Sequence, residues 1–89
     1  MRRRYLISGR VQAVGFRWFA RAAANRLGIL GWVRNLPSHQ VEAEGQGSTE
    51  ALESFETELL RGPPGAQVTE FAVSEISDEM DSVSGFVIR

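Results

Sequence analysis

Apolar and polar positions change their period along the chain, and the changes mark out its elements. Residues 4–11 alternate, with Tyr5, Ile7 and Val11 in one phase and Leu6 in the other, which predicts a strand ending near Gly9 and Arg10. Residues 11–15 read as a short loop closed by Gly15. The period then becomes helical: Phe16, Phe19, Ala20, Ala23 and Leu27 share one face, Arg17, Arg21 and Asn25 lie elsewhere, and Gly28 fits the position just past the helix end. Residues 30–36 predict a second strand, and Leu36-Pro37-Ser38-His39 a turn. In residues 41–46, Val41 and Ala43 alternate with Glu42, Glu44 and Gln46, the mark of a sheet with one wet face. Ser48 is a suitable N-cap with Glu50 in the first turn, and Leu52, Phe55 and Leu59 face inward until Gly62-Pro63-Pro64 stops the helix. Residues 66–76 predict a further strand whose apolar phase slips between Val68 and Phe71, a sign of a bulge. Residues 77–84 read as an acidic polar loop and residues 85–89 as a short last strand.

The order β-α-β-β-α-β plus a terminal strand predicts an α+β, ferredoxin-like sandwich, with two helices on one face of an antiparallel sheet. With 89 residues, the expectation is one domain over 1–89.

Composition narrows the chemistry. The chain has no cysteine, which removes disulfides, thiolate nucleophiles and cysteine-held metals. One histidine leaves little for a His-rich metal site, and His39 itself reads as a solvated turn residue. All ten basic residues are arginine, so lysine chemistry is absent. A net charge of −1 argues against bulk nucleic-acid binding. No apolar run is long enough for a signal peptide or a membrane span, so the expectation is a cytoplasmic monomer without nucleic-acid or membrane partners. Arg2, Arg3 and Arg4 stand at the N-terminus, either unordered or paired with the acidic 78–81 stretch.

Two segments remain as candidate chemistry. Gly9-Arg10-Val11-Gln12-Ala13-Val14-Gly15-Phe16-Arg17 runs from a strand end through a tight loop into a helix start. Such a turn gathers N–H groups in a concavity with positive helix-dipole potential. Arg17 in the first turn opposes that dipole by roughly 0.3–1 kcal/mol, a conflict that an anion in the loop would resolve. The same residues also fit a solvated arginine beside a plain turn glycine. Gly31-Trp32-Val33-Arg34-Asn35-Leu36-Pro37 places Trp32 and Arg34 on one strand face and Val33 and Asn35 on the other. Asn35 either positions a water or merely forms the turn.

The first segment resembles the acylphosphatase signature glycine-arginine-valine-glutamine-glycine-valine-glycine-phenylalanine-arginine, and the second resembles its partner glycine-tryptophan-valine-arginine-asparagine. Similarity continues through Leu36-Pro37, Val41-Glu42, Gly45 to Gly47, Ala51-Leu52, Gly62-Pro63 and Phe86-Val87-Ile88-Arg89. The resemblance implies a metal-free, cofactor-free hydrolase of small acyl phosphates. It assigns phosphate binding to the loop Val11, Gln12, Ala13, Val14, Gly15, Phe16 and Arg17, with Arg17 also clamping the transferred oxygens. Asn35 would hold the attacking water. Ala13 departs from the family's usual glycine; at positive φ it would cost about 1 kcal/mol, and at negative φ nothing. Ser38-His39-Gln40 replaces the common aspartate-glycine pair. Two other readings stand beside the hydrolase. One is a binding module like the N-terminal part of hydrogenase-maturation carbamoyltransferases. The other is a ferredoxin-like RNA-binding domain, against which the acidic Val41-Glu42-Ala43-Glu44 strand argues.

Overall fold

The computed structural model describes residues 1–78 and 84–89. The elements follow the expected order: β1 (Arg2–Arg10), α1 (Phe16–Leu27), β2 (Leu30–Asn35), β3 (Val41–Gln46), α2 (Thr49–Arg61), β4 (Gln67–Ile76) and β5 (Phe86–Ile88). They build a five-stranded sheet in the order β4-β1-β3-β2-β5. Both helices pack on it, giving the ferredoxin-like α+β sandwich. The sheet is not wholly antiparallel as expected: β5 runs parallel to β2, with Gly31 opposite Phe86 and Val33 opposite Ile88. Strand direction is a property of the connection, and side-chain alternation carries no trace of it.

The alternation in β1 and β3 builds the core. Tyr5 lies opposite Ala43 and Ile7 opposite Val41, and all four are fully buried against Ala20, Ala23, Leu52, Phe55 and Leu59. The Phe55 ring meets Tyr5 and Phe86 edge-on, each at 5.7 Å, and so ties the short β5 to the centre. The buried Tyr5 hydroxyl donates to a Glu56 carboxylate oxygen at 2.8 Å. Burial, aided by that carboxylate, pushes the phenol's pKa upward, so Tyr5 stays neutral.

The other sheet face is wet but not uniformly so. Glu44 is 3% exposed, contrary to the alternation reading, because Arg4 and Trp32 stand directly across from it on β1 and β2. Burial alone would raise its pKa, but hydrogen bonds from Arg4 (2.6 and 3.0 Å) and from Arg2 outweigh that and hold it below the usual carboxylate range. Arg3 bonds Glu56 at 2.7 Å. The N-terminal arginines are therefore ordered in β1 and paired mainly with carboxylates across the fold. Asp78 takes the Met1 amino group at 3.3 Å, and the rest of the 78–81 stretch, with most of the predicted 77–84 loop, lies outside the described residues.

The bulge expected between Val68 and Phe71 is present. Ser8 pairs with Glu70 and Gly9 with Val68, leaving Thr69 extra on β4. Gly9 has φ 120°, and a Cβ there would come within 2.1 Å of the Gln67 carbonyl oxygen. Only glycine lets the strand kink here, just before the loop that enters α1. No helix among the described residues is long and apolar enough to cross a membrane.

Candidate active site

The loop between β1 and α1 owes its shape to two left-handed residues. Ala13 has φ 62° and Gly15 φ 78°, while Gln12 and Val14 between and before them do not have positive φ. Alternating handedness turns successive N–H groups toward one side, the geometry of an anion nest. Ala13 thus adopts the strained of its two alternatives. Gly15 is also the N-cap of α1, and its carbonyl accepts the first helical bond, from the Phe19 N–H at 3.0 Å. No side chain caps this helix and no acid lies in its first turn. Among the described residues, the N–H groups of residues 12–18 have no protein acceptor.

Most of these residues border a cavity of about 190 Å³. Its walls are Val11, Gln12, Ala13, Gly15, Phe16, Arg17, Trp18 and Asn35. The structure therefore brings together the predicted site residues with one exception. Val14 turns its side chain to the core and lends the loop only its backbone. Asn35 arrives from the last position of β2, on the same strand face as the fully buried Val33, which aims it at the helix side of the sheet. Trp32 and Arg34 point the other way, where the guanidinium of Arg34 lies 5.2 Å from the Trp32 ring and that of Arg89 4.6 Å.

Charge is distributed unevenly. Arg2, Arg3, Arg4, Arg26, Arg34 and Arg61 each pair with a carboxylate. Among the described residues Arg10, Arg17, Arg21 and Arg89 have no such partner; the first three precede, line and follow the cavity, while Arg89 lies over the Trp32 ring. The Asn35 carboxamide is likewise free of protein hydrogen bonds among the described residues. A half-buried guanidinium beside unengaged amides suits a phosphate-like oxyanion in charge and in shape.

Two features escaped the sequence reading. The Gln12 side chain does not enter the cavity's chemistry as an acceptor. Its Nε2 donates to the carbonyls of Leu36 and Gln40, both at 2.9 Å, and staples the loop to the turn that follows Asn35. The Gln40 side chain continues the chain of bonds to the Ser8 hydroxyl at 2.9 Å. His39, in that turn, is exposed at φ 72°. The second feature is Trp18, which falls off the apolar helix face yet lines the cavity; that mismatch was the signal available.

Known proteins share this sequence pattern and shape. A sequence profile of the acylphosphatase family matches residues 3–88. An acylphosphatase of Salinibacter ruber is 46% identical over 83 residues, covering 93% of this chain and 86% of that one. The crystal structure of acylphosphatase from Bacillus subtilis superposes with a TM-score of 0.93 at 35% identity, covering 99% of this chain and 97% of that one. The crystal structure of T. kodakarensis HypF contains a similar region: TM-score 0.86, 30% identity, all of this chain but 12% of that one. The match over nearly the whole sequence settles the lineage: this chain belongs to the acylphosphatase family.

Proposed function

We propose that the chain hydrolyses small acyl phosphates in the cavity at the start of α1, with Arg17 and the 11–17 loop holding the phosphoryl group and Asn35 holding the water. The observation that carries this reading is the convergence of a carboxylate-free Arg17, unengaged amides and Asn35 on one cavity. The amides and the guanidinium fork neutralise the three phosphoryl oxygens, over which the group's charge is spread in the transition state. Asn35 accepts from or donates to a water and sets it in line with the phosphorus. The water oxygen bonds to phosphorus as the bond from phosphorus to the acyl oxygen breaks. The electron pair leaves on the carboxylate. One water proton stays on the attacking oxygen and the other passes to a phosphoryl oxygen, so an acyl phosphate dianion and water give a carboxylate and dihydrogen phosphate.

A carboxylate leaves readily without a protein acid, and a substrate oxygen takes the proton without a protein base. That agrees with a cavity wall that, among the described residues, holds no Asp, Glu, His or Lys. The same donor set supports metal independence, since among the described residues it offers a cation no carboxylate or imidazole. The reading extends to a cytoplasmic monomer without nucleic-acid or membrane partners: the 89-residue size fits a monomer, and a net charge of −1 speaks against bulk nucleic-acid binding. Turnover of acetyl phosphate, followed as phosphate release with and without EDTA, tests the reading. Metal-independent hydrolysis competitively inhibited by inorganic phosphate is expected. Binding without turnover would leave the module reading, and loss of activity in EDTA would overturn the mechanism.

A further inference from the structure

Beyond the 11–17 loop and Asn35, the border of the cavity of about 190 Å³ includes one more large side chain. Trp18 occupies that border. Of the large apolar side chains exposed among the described residues it is the most open, at 60%, and it alone lines this cavity. Isolated exposed apolar residues are common on protein surfaces. Here, however, the ring adjoins a polar site and is braced: the Arg21 guanidinium, one turn further along α1, stacks 4.3 Å from the indole centroid. One face is thus held, and the remaining surface stays open at the cavity mouth.

We propose that Trp18 is a specificity-determining residue that receives the acyl group, so that the enzyme prefers acyl phosphates with a flat aromatic or extended apolar acyl part over acetyl phosphate. This rests on the hydrolase reading above. An acetyl group is too small to cover the ring, whereas a benzoyl group can stack on it while its phosphate sits in the loop.

The test compares kcat/KM for benzoyl and acetyl phosphate in the wild type, Trp18→Ala and Trp18→Phe. The wild type should favour benzoyl phosphate. Trp18→Ala should lower the benzoyl-to-acetyl ratio about three- to tenfold, the range expected for losing one aromatic contact, and Trp18→Phe should restore most of it. Circular dichroism and the inhibition constant for inorganic phosphate check that each variant keeps its fold and its loop. If the wild type hydrolyses both substrates and Trp18→Ala leaves the ratio unchanged, the acyl-recognition role is wrong and the hydrolase reading stands. If the wild type hydrolyses neither, both fall.

Discussion

Helix α2 begins on Ser48, whose Oγ accepts from the Ala51 N–H at 3.1 Å, and carries Glu50 in its first turn; helix α1 begins on Gly15 with neither device. The usual rules place an oxygen at the cap and an acid beside it, because the first amides have no partner and the dipole is positive there. Helix α2 obeys both. Helix α1 breaks both and adds a cation, Arg17. At their other ends the helices behave alike, since Arg26 and Arg61 both pair with Glu58, at 2.5 and 2.6 Å. The departure is confined to the start of α1, where the cavity lies. One helix start is completed by its own sequence; the other is completed, on our proposal, by a substrate.

The largest effect should come from removing what α1 has and α2 lacks. Arg17→Gln should lower kcat/KM for acetyl phosphate by ~10³-fold or more, the scale of losing a cation that stabilises a phosphoryl-transfer transition state. It should also abolish any rise in Tm caused by added inorganic phosphate, because stabilisation by a ligand follows its affinity for the native state. Asn35→Ala should lower kcat by ~10²–10³ but keep the phosphate-induced rise in Tm. The pair separates holding the phosphate from holding the water. Arg17→Gln activity within about threefold of wild type would mean that the uncapped start of α1 has no bearing on catalysis.

The converse change falls on α2. Ser48→Ala should cost about 1 kcal/mol of folding stability in urea denaturation, the usual value of one cap, with kcat/KM unaltered. A drop in turnover would join the two helix starts functionally, and the contrast between them would fail.

How far the sequence carries this contrast depends on the range of each interaction. The phases of β1, β3 and both helices were readable because they repeat every 2 or 3.6 residues and reflect one buried face. The slip near Thr69 was readable for the same reason, since a bulge breaks the phase. The burial of Glu44 was not, because it depends on Arg4 and Trp32 lying across from it on neighbouring strands. The parallel setting of β5 was not either; three residues have no directional signature. In the cavity, Arg17 stood out as a charge in the wrong place on its own helix, a local conflict. The Gln12 staple reaches carbonyls 24 and 28 residues away, so only the folded chain reveals it.

The smallest expected effect concerns Ala13, and it tests whether the loop is strained or merely unusual. At φ 62° a Cβ crowds the backbone, at a cost of about 1–2 kcal/mol. Glycine would relieve that strain but would loosen the unfolded chain, which offsets about 0.4–1 kcal/mol. Ala13→Gly should therefore stabilise the fold by up to ~1.5 kcal/mol in urea denaturation, with kcat/KM for acetyl phosphate no lower than that of the wild type. The residue is exposed, so no core packing is lost to mask the gain. The residue does, however, line the cavity. If the glycine variant loses stability or turnover, the methyl is part of the wall that shapes the nest, and the left-handed backbone at 13 is supported by its side chain rather than endured in spite of it.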